Sequence, residues 1–270
     1  MEPKNKQVET EAEFLNNYDP SHYERPSVTV DILIFRLKTI PPISFKHRPV
    51  KELQVLLIQR GGHPYKDCWA IPGGFVNMKE SLEEAAYREL KEETNVKDVY
   101  LEQLYTFGDV DRDPRTRVIS TSYLALASSA DWNPEAGDDA KEAQWFTVKD
   151  GEEILKLISD DGKHCISISK SETFAGPQSK EQLAFDHEKI LKMGLERIRG
   201  KLTYTDILFT LLPECFTLND AQRTYEAITG RSVDRSNFNR DVSKKIIKTG
   251  QHETTGRKVP LFRYDPCWKK

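Results

Sequence analysis

Glu89, Glu92 and Glu93 close a stretch, GGFVNMKESLEEAAYRELKEETNV, that runs from residue 73 to residue 96 and holds six glutamates. On a helix these three stand at i, i+3 and i+4 and are therefore neighbours. A helix C-terminus carries partial negative charge, so carboxylates gathered there need compensation. Three like charges on one face raise one another's pKa values or capture a cation. Oxygen-only ligands suit a hard ion, Mg²⁺ or Mn²⁺, and leave coordination positions for water and phosphate. The competing reading is a solvated helix face laced with Glu–Lys pairs. Gly73 and Gly74, just upstream of Glu80, favour the first reading. Two glycines let the backbone approach a ligand and leave a carbonyl for a metal.

Something must hold that cluster in place. LEEAAYRELKEE fits a helix with Ser81 as N-cap and Glu84 completing a capping box. Leu82, Ala85 and Ala86 form its apolar face, which Glu89 and Glu93 continue. Around it, the sequence predicts strands over residues 27–35, 53–60, 99–107, 117–127, 143–148 and 164–169. Residues 152–160 (EEILKLISD) read as helical, and a long helix is expected from Lys180. Residues 1–25 read as a mobile, partly helical leader.

The pattern Gly74-x5-Glu80-x7-Arg88-Glu89-Leu90-x-Glu92-Glu93-x-Asn95-Val96 resembles the Nudix box. Asn95 stands where the family has glycine. Asn is the next-best residue for a left-handed C-cap, so the helix end should tolerate it. The resemblance implies an α+β fold, a Nudix α/β/α sandwich with a mixed sheet over residues 26–200. It also implies hydrolysis of a nucleoside diphosphate linked to a second moiety. Glu89, Glu92, Glu93 and the Gly73 carbonyl would hold Mg²⁺ or Mn²⁺. Arg88 would orient a glutamate, Glu80 would brace the loop–helix junction, and Glu89 or Glu93 would take the catalytic role. An acid from AGDDAKE (Asp138, Asp139 or Glu142) is the other source of a general base, although the loop reads equally as a solvated turn, the preferred reading for Asp138 and Asp139.

The flanking stretches HPYKDCWAIPGGFV, LYTFGDVDRDPRTRVISTSYLAL and LAFDHEKIL are similar to a Nudix branch acting on or sensing ADP-ribose. Arg60 and Gly74 join Arg112, Arg115 and Arg117 as candidate substrate-binding residues, since a guanidinium fork matches phosphate. Tyr105 or Phe107 could stack on adenine or belong to a strand's core, and for such aromatics the core is the commoner place. His187 reads as packed or capping rather than catalytic.

Charge divides the chain. Of 270 residues, the last 70 carry 13 Lys and Arg against 8 Asp and Glu, a net of +5, whereas the first 200 carry −8. That asymmetry suggests two modules with different partners. Residues 201–270 read as three helices and a hairpin, a winged helix-turn-helix. Helices are expected over TYTDILFTLLP, over LNDAQRTYEAITG with Asn219 as cap and Gly230 as terminator, and over DRSNFNRDVSKK capped by Asp234. Arg235, Asn237, Arg240, Lys244 and Lys245 would face double-stranded DNA, with Arg257 and Lys258 on the wing. The alternative is a winged helix kept for packing or dimerisation. LPECFTLNDAQRTYEAITGR resembles the Nudix-related transcriptional regulators of NAD metabolism, in which ADP-ribose can act as effector. In that group the Nudix box is often degenerate, whereas here its carboxylates are intact, which favours a hydrolase as the first reading and a regulator sensing ADP-ribose as the alternative. A homodimer is implied. Four widely spaced cysteines without a CxxC pair suggest reduced thiols and a cytoplasmic protein. There is no apolar run long enough to span a membrane.

Overall fold

The computed structural model describes residues 10–41, 49–94, 99–127, 140–171, 181–255 and 257–268; the side chains of residues 93, 94, 254, 255 and 257 are outside that description. A short helix α1 (Glu11–Asn17), capped by a Thr10–Glu13 box, precedes the sheet strands β1 (Ser27–Ile40) and β2 (Val50–Arg60). Two short strands, β3 (Trp69–Ala70) and β4 (Gly73–Phe75), lead into helix α2 (Leu82–Thr94). Strands β5 (Tyr100–Phe107), β6 (Val118–Ala127), β7 (Ala140–Asp150), β8 (Ile154–Ser159) and β9 (Cys165–Ser169) follow, then helix α3 (His187–Tyr204). Helices α4 (Leu218–Thr229) and α5 (Arg235–Val242) and the hairpin β10 (Ile246–Thr255) and β11 (Arg257–Tyr264) complete the chain.

The main sheet is ordered β5-β6-β1-β2-β7-β8-β9, with β3 on β2 and β4 on β1. Among the described strands, β1 and β6 pair in parallel and the other pairs are antiparallel, which makes the sheet mixed. Side chains of a strand alternate between faces, and β1 shows why its sequence is apolar throughout. Val30, Ile32 and Ile34 meet Ala85, Ala86 and Leu90 of α2. Leu33 and Phe35 meet Ile190, Leu191, Leu195 and Ile198 of α3 on the other face. The result is the expected α/β/α sandwich. Gly194 lets α3 lie close, because a Cβ there would fall 2.0 Å from Leu33 Cδ2.

Four local expectations need correction. Residues 154–159 form strand β8: Leu155, Leu157 and Ser159 are buried in alternation while Lys156 is exposed, a period of two rather than 3.6. The long helix starts at His187, because Leu183 and Glu181 first pair with Trp69 and Ile166 as isolated bridges. TYTDILFTLLP is divided between the end of α3 and a 3-10 turn, Ile207–Leu211. Helix α4 is capped by Thr217, not Asn219: the Thr217 hydroxyl accepts from the Asp220 N–H at 3.1 Å. Gly230 ends α4 at φ 68° and Asp234 caps α5 as expected.

The winged helix has its own core of Leu208, Leu212, Phe216, Ala221, Val242 and Phe262. It is nevertheless seated on the sandwich. Ile228 of α4 belongs to the main core. Lys51 Nζ of β2 donates to Thr224 Oγ1 at 3.0 Å, and Arg199 Nε of α3 donates to the Ile228 carbonyl at 3.0 Å. Helix α3 is thus a rod of about 27 Å between the two modules.

Candidate ligand pocket and nucleic-acid interface

The Ser81–Glu84 capping box fixes where α2 begins. Glu80, just before it, accepts from the Asn77 N–H at 2.8 Å and from Arg88 Nη2 at 2.8 Å and Nε at 3.1 Å. Those bonds, Arg88's first, hold the Glu80 carboxyl at a pKa of about 2. The same guanidinium donates to Glu89 Oε1 at 2.7 Å, to Glu92 Oε2 at 3.3 Å and to the Phe75 carbonyl at 3.1 Å. Arg88 therefore ties the glycine strand β4 to the acidic turn of α2. Glu89 is buried, and burial raises its pKa against the pull of Arg88. Gly74 makes its position possible, since a Cβ there would sit 2.1 Å from Glu89 Oε1. Gly73 is equally constrained, by the Val30 carbonyl at 2.2 Å.

These groups open onto a cavity of about 1000 Å³, also lined by Arg60, Arg112, Arg115, Phe75, Phe185 and His187. Arg112 is buried and donates to Asp186 through Nε at 3.0 Å and Nη2 at 2.7 Å, with Asp31 at 3.5 Å. Burial opposes its charge, but these acids and Asp113 outweigh that and raise its pKa. Arg115 pairs with Asp113, and Arg60 Nε donates to the Pro64 carbonyl. Arg117 does not line the cavity; it donates to the Asp109 and Val118 carbonyls. His187 Nδ1 accepts from the Ile71 N–H at 2.9 Å, which bears out the packed reading and fixes the chain entering Gly73. Of the two aromatics considered for stacking, Phe107 is buried, while Tyr105 is 52 % exposed on strand β5, and neither lines the cavity. Sequence reasoning missed Asp31, Asp186 and Phe185. Asp31, a lone charge inside the apolar run VTVDILIF, was a usable signal.

The donor set suits a hard divalent cation. It is oxygen-only, and the missing Cβ of Gly74 lets the Glu89 carboxylate stand against strand β4. Glu92 is more exposed, with 57 % of its side chain accessible. Among the described residues no three His, Cys, Asp or Glu converge as a finished cage; the Glu93 side chain, Asn95, Asp138 and Asp139 lie outside the described residues. Glu142, described on β7, pairs with Gln144 and does not line the cavity.

At the other end, α5 presents Arg235, Asn237 and Arg240 to solvent. Phe238 packs inward beside buried Val242, as its spacing predicts. Lys244 is exposed and 3.3 Å from Asp241. Lys245 differs from expectation: it is only partly exposed, 2.8 Å from Asp206 and stacked over the Trp268 ring at 4.7 Å. Asp206 also accepts from the Tyr264 hydroxyl at 2.8 Å and Trp268 Nε1 at 2.9 Å. Burial works against its charge, but these donors hold its pKa at about 2. Lys258 is exposed on β11, and the Arg257 side chain lies outside the described residues.

A sandwich domain whose cavity is lined by both arginines and carboxylates, joined to a winged helix of DNA-binding form, defines the class. Residues 46–164 match the NUDIX domain and residues 208–264 match the NrtR DNA-binding winged helix domain. The chain is 31 % identical over 260 residues to the ADPR responsive transcriptional repressor NtrR of Acinetobacter baylyi, covering 94 % of this chain and 88 % of that one. It is 34 % identical over 162 residues to an ADP-ribose pyrophosphatase of Methanocaldococcus jannaschii, covering 60 % and 78 %. A crystal structure of Shewanella oneidensis NrtR complexed with a 27mer DNA superposes with a TM-score of 0.59 at 27 % identity, covering 89 % and 94 %. The chain belongs to the Nudix family, in the group that carries an NrtR-type winged helix domain. No helix among the described residues is long and apolar enough to cross a membrane.

Proposed function

We propose that the protein is a DNA-binding transcriptional regulator whose Nudix domain takes a nucleoside diphosphate of the ADP-ribose class as effector. The seating of α4 on the cavity-bearing sheet, through Ile228 and the Lys51–Thr224 bond, is the observation that supports this most. Two modules sharing a packed interface can bias one another's state, and a free-standing hydrolase has no need of that contact. The repressor relative, similar over nearly the whole chain, supports the same reading. Arg235, Asn237, Arg240 and Lys244 would enter the major groove, Arg257 and Lys258 would reach phosphates, and Lys245 would brace the end of the recognition helix. Residues 26–200 form the sensing unit and 201–270 the reading unit of a cytoplasmic homodimer. A gel shift with DNA upstream of the protein's own gene tests this: binding at low salt, altered by ADP-ribose, is expected. Absence of any shift would sink the proposal.

A second reading, hydrolysis, is favoured by the intact box. Arg60, Arg112 and Arg115 would hold the diphosphate, and Arg88 would orient Glu89 by a charge-assisted bond. Glu89, Glu92, Glu93 and the Gly73 carbonyl would hold Mg²⁺ or Mn²⁺. When bound, that ion neutralises phosphate charge and acidifies a coordinated water. Glu89 or Glu93 would accept the proton. AMP release from ADP-ribose with Mg²⁺, abolished by Glu93→Gln, is the expected result; turnover unchanged by that substitution would remove Glu93 from the mechanism.

A further inference from the structure

Phe185 has a backbone φ of 52°. Bulky L-residues avoid this left-handed region, and such strain persists only where the surroundings impose it. The residue stands between Ala184, whose N–H is bonded to the Trp69 carbonyl at 2.8 Å, and Asp186, which is clamped by Arg112. Both neighbours are fixed, so the chain turns sharply and the ring is delivered to the cavity wall. There it packs on Tyr65 with centroids 4.7 Å apart, and Tyr65 is itself held at φ 57°. Two strained aromatics thus form one shelf.

Cations border that shelf without closing on it. The Arg60 guanidinium carbon lies 5.0 Å from the Phe185 centroid, and that of Arg115 lies 5.8 Å from Phe185 and 5.6 Å from Phe75. Elsewhere in this chain a guanidinium stacked in the interior approaches its ring to 4.1 Å, as Arg36 does over Trp145. The cavity arginines stand farther from their rings, and 43 % of the Arg115 side chain is exposed. A π-face bordered by guanidinium groups is the surface on which a flat heteroaromatic base stacks while its phosphates meet the cations.

We infer that the Phe185 ring, backed by Tyr65, is the stacking platform that selects a base-bearing diphosphate over a purely sugar-phosphate one. This rests on the effector reading above and names the group within the effector that the cavity discriminates. Leucine at 185 keeps an apolar side chain on the Ile58, Ala70 and Ala184 cluster while deleting the ring, which separates a binding role from a structural one.

The test is calorimetric titration of the full chain with ADP-ribose, alongside melting temperatures, for the wild type, Phe185→Gly, Phe185→Leu and Phe185→Trp. Affinity should fall by roughly tenfold to a hundredfold in the Gly and Leu variants and return toward wild type with Trp. The Leu variant, which keeps an apolar side chain on the Ile58, Ala70 and Ala184 cluster, should melt closer to wild type than the Gly variant. Wild-type affinity in the Leu variant, or a Trp variant as weak as Leu, would overturn the platform while leaving the effector reading intact. A wild-type chain that binds no ADP-ribose would remove the effector reading and this inference together.

Discussion

The arginines of the cavity and those of the recognition helix are held in opposite ways. In the cavity, Arg60, Arg88, Arg112 and Arg115 each donate to a carboxylate or carbonyl before any ligand arrives. On α5, Arg235 and Arg240 stand in solvent, and the nearest acid to Arg240 is Asp241 at 3.8 Å, with both side chains about two-thirds exposed. The first arrangement is pre-organised: its geometry is fixed by neighbours and tolerates little displacement. The second is a charged surface whose affinity comes from releasing counterions and falls steeply with salt. One chain thus holds a site defined by distances and a site defined by charge density.

The largest effect should come from disturbing the fixed site at its tightest point. Gly74→Val places a Cβ 2.1 Å from Glu89 Oε1 and 2.7 Å from its Cδ. The carboxylate must move, and a displacement near 1 Å costs about a hundredfold in activity or more. Calorimetry with ADP-ribose and an AMP-release assay should both register the loss, while DNA affinity at fixed salt stays within about twofold. Retained ligand affinity would show that the cavity is less rigid than the bonding implies. The converse test is Arg235→Ala with Arg240→Ala. DNA affinity should fall about tenfold to a hundredfold at physiological salt, and the slope of log affinity against log salt should lose about two units. ADP-ribose binding should not change. An unaltered salt slope would remove α5 from the DNA interface.

This contrast also explains which parts were legible in the sequence. The box announces itself because its bonds are local: Ser81 to Glu84, Glu80 to Arg88 and Arg88 to Glu89 all lie within one turn-and-helix. The exposed cations of α5 follow from one cap, Asp234, and helical periodicity. What stayed hidden depends on contacts far apart in the chain. Asp186 meets Arg112 from 74 positions away, and the Ile71 N–H meets His187 from 116 positions away. Phe185 reaches the cavity because Glu181 and Leu183 pair with the sheet before α3 begins. That pairing also shortened the helix expected from Lys180. Lys245 reads as a surface cation until Asp206, Tyr264 and Trp268 converge on one another.

That convergence offers a smaller test. Asp206 clasps the end of the recognition helix, the second wing strand and Trp268 through three donors. Asp206→Asn keeps the size but removes the charge, which should cost about 1–3 kcal/mol of stability. DNA affinity should weaken by only a few-fold, with the salt slope unchanged because no phosphate contact is lost. A changed slope in this variant would mean that Lys245, once released, itself engages phosphate.

The smallest effect concerns His187, on the cavity side. Its ring is buried; burial lowers its pKa below the ordinary 6.5, against the opposing pull of Asp31 and Asp186 and with the help of Arg112 and Arg60. Neutral imidazole is what the contact demands, because Nδ1 accepts the Ile71 N–H. Below pH 6.5 the unfolded chain binds a proton that the folded chain refuses, so stability is complete above that value and is lost as the pH falls through it. Melting temperatures of the wild type should drop between pH 7.5 and pH 5.5. His187→Gln, whose amide oxygen can still accept from Ile71, should flatten that dependence while leaving DNA binding at pH 7.5 unaltered. An equal drop in both proteins would assign the acid sensitivity to other groups and leave His187 as a packing residue alone.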